Sequence, residues 1–306
     1  MKWISRIATP AALLIFALWI IGMLLTDRWT WSQWLAWIPT QIILVVLVSA
    51  ILVAIISKRK RHASCLFFIL AAALGWFVFV ENHFFASSYP RDGLRLVGWT
   101  MSHNKESGAG KSADSIISYD GDITLLTHGW QVRGQKKIKE WVGIGSRRIV
   151  SGPFTLLTKL QVLEVRTLIA SDGIYVSMFK VDATEQLGKP IVVWAIDLPS
   201  TMFLSRANTA KRAKRLLATL DVSQPDLVIG DFNMTRNSFA IQTMFPTLID
   251  ASDEGGIGLL ASFPTEYPLY HIDHTLLSRA FSCKSYFLVN PNIGRHRVQI
   301  TEIIAK

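Results

Sequence analysis

The sequence predicts three N-terminal membrane-spanning helices followed by an α+β domain, a sandwich of two sheets faced by helices. Three observations carry the prediction. Half of the residues are hydrophobic and the mean hydropathy is +0.32, high for a wholly soluble chain. The apolar excess is gathered into charge-free runs before residue 86. The remainder has many short β-like runs and few helical ones, in a length that suits one large domain plus an appendage.

The first run, around "AALLIFALWIIGMLL", lies between Arg6 and Asp27. The second, around "QIILVVLVSAILVAII", extends from Trp29 to Ser57, and the third, "ASCLFFILAAALGWFVFV", lies between His62 and Glu81. The helices predicted from them cover about 8–26, 36–57 and 63–82, each about long enough to cross a hydrocarbon core of ~30 Å. A cleaved signal peptide would end at a small-x-small site; none follows the first run, and two more spans do. The runs are apolar around the whole circumference, which suits lipid better than the one-sided packing of a soluble helix.

Basic residues set the orientation. Lys2 and Arg6 precede the first span, and Lys58, Arg59, Lys60 and Arg61 lie between the second and third. The first loop holds Asp27 and Arg28 with Trp29, Trp31, Trp34 and Trp37, which suit a headgroup belt. The positive-inside rule places the N-terminus in the cytoplasm and everything after about residue 86 outside. The expected organisation is an anchor over 1–86, integral to a plasma or inner membrane, and an extracytoplasmic domain over 87–306.

The net charge is +10. Residues 1–86 hold seven Lys/Arg against two Asp/Glu and the remainder 25 against 20, so topology accounts for half of the excess. The mild basic bias left on the domain suits anionic headgroups or phosphorylated substrates, and nucleic acid is an unlikely partner for an outward-facing domain. Cys65 lies within a span and Cys283 in the domain, so no disulfide joins them and the domain rests on its core.

"SSYPRDG" (Ser87 to Gly93) predicts a linker. Strands are predicted at "LRLVGWT", "DITLLTH", "RRIVSG", "LQVLEVRTLIA", "IYVSMFKV", "PIVVWAIDL", "DLVIGDF", "IDHTLL" and "RVQITEI". A helix fits Phe203 to Thr219, with Lys211, Arg212, Lys214 and Arg215 on its solvated face, and a shorter one follows Asn237. "SGAGKS" (Ser107 to Ser112) resembles a phosphate-binding loop, but the pattern requires Gly where Lys105 stands. It is expected to be a solvated turn, with no clear amphipathic helix after it.

In "VIGDFN" an apolar strand ends in D-x-N, and alternation would put Asp231 and Asn233 on one face of an extended chain. A carboxylate and an amide there suit orienting a metal-bound water and holding a phosphate oxygen. The alternative is a turn whose Asx side chains bond the local backbone. His271 and His274 flank Asp273 and are expected to face solvent or pack at a strand end rather than bind a metal.

"GDFN", followed by "HIDHTLLS" and a closing His-Arg-Val, resembles the endonuclease/exonuclease/phosphatase superfamily in order and spacing. "LRLVGWTMSHN", "DITLLTHGW" and "KPIVVWAIDLPS" resemble that family's upstream strands, and the likeness spans roughly 93–306. The layout is similar to a membrane-anchored branch of the family that includes a glycopeptide-resistance protein, which implies a bacterial envelope setting. The resemblance implies a four-layer α/β/β/α sandwich and a phosphoesterase-type site. It assigns catalytic positions to Asp231, Asn233, Asp273 and His296. It also shows four substitutions. Thr100 stands for an Asn, His128 for the metal-binding Glu, Asp197 for a His, and Arg295 for the Asp before the terminal His.

These substitutions set the chemistry expected. Magnesium-type ions prefer hard oxygen ligands, and exchanging an Asp for Arg295 turns a negative charge positive. At ~4 Å and an effective dielectric near 20 that change costs a divalent ion several kcal/mol. It is also expected to leave His296 without a carboxylate to orient it. Arg295 can instead offer a phosphate a fixed positive fork. Two readings follow. One is a pseudoenzyme that binds a phosphorylated small molecule, lipid or envelope polymer with little or no turnover and no metal. The other is an active phosphoesterase using magnesium or manganese, or zinc in a rearranged site of His128, Asp197 and Asp231.

Overall fold

The structure, a computed structural model, describes residues 2–87, 91–101, 106–143 and 147–306. Ser88 to Pro90 of the expected linker, and Lys105, lie outside the described residues.

The N-terminal part is helical: α1 (Lys2–Leu25), α2 (Thr30–Ala36), α3 (Thr40–Ile56) and α4 (Lys60–Trp76), the last continued by a π-helical turn over Phe77–Glu81. Arg6–Leu25 and Lys60–Glu81 are long and apolar enough to cross a membrane. The second expected span, 36–57, is α3 from Thr40 on, shorter than the other two candidates; it makes a third candidate only if counted with α2, which it meets at a 65° bend. Pro39 is the reason: it has no N–H to donate and disfavours helix in the residue before it, and it stands at the cap of α3 with extended φ and ψ of −68° and 142°. The tryptophan-rich loop expected between the first two spans therefore contains a short helix, α2.

The α/β domain runs β1 (Leu94–Thr100), α5 (Glu106–Tyr119), β2 (Ile123–Thr127), α6 (Trp130–Arg133), α7 (Lys136–Val142), β3 (Arg147–Ser151), β4 (Phe154–Thr158), β5 (Val162–Ser171) and β6 (Ile174–Val181). It continues with α8 (Thr184–Leu187), β7 (Ile191–Asp197), α9 (Arg206–Ala218), β8 (Leu227–Asp231), α10 (Phe239–Met244), β9 (Ile249–Asp250), α11 (Ala251–Gly255), β10 (Asp273–Leu277), β11 (Phe281–Val289) and β12 (Val298–Ala305). Among the described residues these form two six-stranded sheets, β11-β12-β1-β2-β4-β3 and β5-β6-β7-β8-β10-β9.

The sheets stack face to face through Leu96, Leu125, Phe154, Phe179, Val193, Ile229 and Tyr286, all buried. On the far side of the first sheet, Ala109, Ala113 and Ile116 of α5 pack with Ile138 of α7 on Val97, Trp99 and Leu126. On the far side of the second, Ala210, Ala213 and Leu217 of α9 pack with Ile241 and Met244 of α10 on Val176, Trp194 and Val228. This gives four layers, helix on sheet on sheet on helix.

Several sequence expectations change here. "SGAGKS" is not a solvated turn but part of α5, because Ala109, Ala113 and Ile116 give that polar stretch a narrow buried stripe. Strands β4, β9 and β11 were not expected. β4 is short, and β11 has a bulge between Cys283 and Ser285 that breaks its alternation. Helix α9 begins at Arg206 rather than Phe203, since the Ser205 hydroxyl caps it by accepting from the Asn208 N–H at 3.3 Å.

The helical part is hydrogen-bonded to the α/β domain. Gln33, fully buried, donates to the carbonyls of Met202 and Leu204 at 2.8 and 3.1 Å and accepts from the Arg206 N–H at 2.9 Å. Asp27 accepts from the Ser238 hydroxyl and from the Ala240 N–H. Arg236 donates to the Val80 and Glu81 carbonyls at 3.1 and 2.9 Å while paired with Asp253, placing a cation at a helix C-terminus. The C-terminal ends of α1 and α4 and the N-terminal end of α3 lie against the domain.

Candidate functional site

Strand register brings three acids to one level of the second sheet. Asp231 pairs with Asp197 on the parallel β7 and with Asp273 on the antiparallel β10. Gly230 makes the close packing workable: its φ is +148°, and a Cβ there would sit 2.0 Å from the Ile196 carbonyl oxygen. Thr100 and His128 arrive at the same end of the sandwich from the first sheet, where Thr100 ends β1 and His128 follows β2.

The strand stops at Asp231, so Asp231 and Asn233 do not share one extended face. Asn233 has a left-handed φ of +50°. Its N–H donates to Asp231 Oδ1 at 3.0 Å and its amide donates to the Leu198 carbonyl at 2.8 Å. The local Asx turn and the approach to the cleft are both present, because the turn carries Asn233 onto the wall.

His296 does have an orienting carboxylate, contrary to expectation. Its Nδ1 lies 2.8 Å from Asp273 Oδ2, while Thr100 donates to Asp273 Oδ1 at 2.6 Å. The expectation looked to the neighbour in sequence, Arg295, whereas the partner comes from across the sheet. Burial would lower the basicity of His296, but the charge and hydrogen bond of Asp273 outweigh it and raise its pKa to about 9. Burial would raise Asp273; the imidazolium, together with bonds from Ser262 and Thr100, instead holds it below the usual carboxylate range. Asp231 is pushed well above that range by burial and then by the charge of Asp273.

Thr100, His128, Asp197, Asp231, Asn233, Arg295 and His296 line one cleft of about 480 Å³, with Asp273 behind His296. His128 Nε2 sits 3.1 Å from Asp197 Oδ2. Arg295 is exposed at the mouth with its guanidinium 5.3 Å from the centre of the Phe263 ring. The compact trio of ligating side chains here is Asp231, Asp273 and His296, while His128 and Asp197 pair with each other. Both Asp273 oxygens already receive hydrogen bonds, and His296 Nε2 lies 4.0 Å from Asp231 Oδ2.

Three aromatic cleft residues were among those not anticipated: Trp37, Tyr175 and Phe263. Trp37 was read only as part of a headgroup belt, and it comes from the break between α2 and α3. Arg206 backs the same wall. Fully buried, it donates to the Pro199 and Ser200 carbonyls and lies 5.8 Å from the centre of the Trp37 ring. No pattern in the sequence links Trp37 to residues more than a hundred positions away.

His271 and His274 do not face solvent. Both are buried, with rings stacked at 4.6 Å. His274 contacts Asp250 at 2.7 Å and the Met234 carbonyl at 2.8 Å. Burial opposes its protonation, but Asp250 raises its pKa overall. With Asp250 these histidines are close enough to share an ion, yet a doubly protonated His274 has no lone pair to give, so the group reads as a buried ion pair.

No protein-family model matches the sequence, and no curated protein matches it. The likeness to solved structures places the domain in a class: its fold is that of endonuclease/exonuclease/phosphatase family proteins. A mannosyl-6-phosphatase of Bacteroides thetaiotaomicron VPI-5482 is 14% identical with a TM-score of 0.54, over 69% of this chain and 99% of that one. A family protein from the same species is 16% identical with a TM-score of 0.52, over 70% and 98%. A functionally unknown conserved protein from Enterococcus faecalis V583 is 13% identical with a TM-score of 0.54, over 70% and 100%.

Proposed function

We propose that residues 1–86 anchor the chain in a plasma or inner membrane with the N-terminus cytoplasmic. Residues 87–306 then form an extracytoplasmic domain that binds phosphorylated lipid or envelope ligands with little or no turnover. The positive residues at the inner ends of the spans support this orientation, as does the gathering of the three outer helix ends against the domain. The observation that carries the binding reading is the charge pattern of the cleft. His296 and Arg295 offer positive charge, burial and Asp273 push the Asp231 carboxyl well above its usual range, Asp197 faces His128, and the Asp273 oxygens are engaged. That donor set does not fit a resident magnesium-type ion, which wants free carboxylates, but it suits an anion.

A second reading, an active phosphoesterase, is favoured by one observation: His296 and Asp273 retain a pairing suited to proton transfer at a phosphate ester. Phosphatase and phosphodiesterase assays on the full chain in detergent, with magnesium, manganese or zinc, separate the two. The binding reading expects ethyl phosphate to bind without added metal and without turnover. Metal-dependent hydrolysis abolished by Asp231→Ala would sink it.

A further inference from the structure

A second pocket lies where the helices meet the domain. Its walls are Met23 of α1, Pro39 and Thr40 at the start of α3, Trp76 and Val80 at the end of α4, and Leu260, Ala261 and Leu269 of the domain. Trp37 lines both this pocket and the cleft, and its ring stands 5.0 Å from that of Tyr270, another wall residue. The two spaces therefore share a wall residue.

Their chemistries are complementary. In the pocket, Arg236 is occupied by Asp253 and by helix-end carbonyls, and Glu81 is engaged by the Thr40 hydroxyl. The positive groups free to meet an anion, His296 and Arg295, belong to the cleft. One polar atom in the pocket is unsatisfied: His271 Nδ1 is buried without a hydrogen-bond partner, while Nε2 lies 3.3 Å from the Tyr286 hydroxyl. Burial, and then the charge of His274, lower the His271 pKa to about 3, so this ring adds no positive charge to the pocket.

We propose that the pocket, about 90 Å³ in volume, takes the first part of the apolar chain of an amphiphilic phosphate ester whose phosphoryl group occupies the cleft, the chain passing beside Trp37. This inference rests on the phosphoryl-binding reading and narrows its ligand to one with an apolar tail. The walls contributed by α1, α3 and α4 are what make a lipid-like tail the occupant, since these helices bring their apolar ends to the pocket.

The test compares ethyl phosphate with octyl phosphate below its aggregation limit, on the full chain in detergent. A methylene taken out of water is worth about a factor of four, so partial burial of the chain predicts octyl phosphate binding at least ten-fold tighter. Leu269→Trp, which fills the half-buried edge of the pocket, should remove that advantage and leave ethyl phosphate binding unchanged. An octyl phosphate carrying a terminal photoreactive group should label Met23, Trp76 or Leu260, and ethyl phosphate should compete with it. Equal affinities, an advantage that survives Leu269→Trp, or labelling elsewhere would overturn the pocket alone. Failure of both phosphates to bind would overturn the phosphoryl-binding reading and this inference with it. Should Leu269→Trp not fold, the labelling pattern of the unmodified chain decides.

Discussion

Replacing Asp273 with Asn tests whether His296 is held as a cation. The histidine is raised from 6.5 to about 9, and each pH unit corresponds to 1.36 kcal/mol, so its surroundings favour the charged form by about 3 kcal/mol. Because the folded value lies above the unfolded one, that stability is fully present below pH 6.5 and is lost as pH rises through about 9. Asp273→Asn removes both the charge and the charged hydrogen bond at 2.8 Å, leaving burial to lower the pKa. Sulfate is a suitable probe, since it has no proton to lose in this range. Its affinity should hold steady from pH 7 to 8 and fall through about 9 in the unmodified chain, and should already be falling below pH 7 in the variant. Isotope-labelled histidine spectra, with His296 assigned by its own substitution, read the same midpoint directly. A midpoint unchanged by Asp273→Asn would refute the claim that this carboxylate charges the site.

Three further outcomes follow from named contacts. Introducing acids with His128→Glu and Arg295→Asp should raise manganese affinity at least ten-fold in a calorimetric titration; unchanged affinity would show that those positions are not what disfavours the ion. Asp250→Asn strands the buried charge of His274 and should cost about 3–5 kcal/mol, a fall of roughly 10 °C in thermal unfolding, with no matching loss in Asp253→Asn. Gln33→Leu leaves the Met202 and Leu204 carbonyls and the Arg206 N–H unpaired, at about 1–3 kcal/mol. Amide exchange should then quicken around 202–208 while β7 and β8 stay protected, and uniform protection would argue against a fixed docking of helices on domain.

The layering was legible because it is written in local patterns. Short β-branched runs marked most strands, and "AKRAKRLLA" carried its own buried stripe. α5 was not legible, since a stripe built from Ala109, Ala113 and Ile116 is hard to distinguish from a polar loop until a sheet lies under it. At the site, "GDFN" and "HIDH" drew attention to Asp231 and Asp273. Their pairing across β8 and β10, and with His296 beyond β11, is a matter of register between segments far apart in the chain. The expectation that Arg295 deprives His296 of a carboxylate failed for the same reason: it looked along the chain rather than across it. Trp37 was invisible as a cleft residue because its role depends on a proline-broken helix docking onto a distant domain.

The cleft residues make more sense taken as a set than one at a time. Arg295 brings a positive charge to the mouth of the cleft, and His128 closes on Asp197 at 3.1 Å instead of leaving a free carboxylate. Thr100 spends its hydroxyl on Asp273 at 2.6 Å, which reinforces the pairing that charges His296. Each of these contacts disfavours a divalent cation or favours an anion, and the buried His296–Asp273 pair stays intact at 2.8 Å. That combination is the reason to look for phosphoryl recognition first and for hydrolysis second.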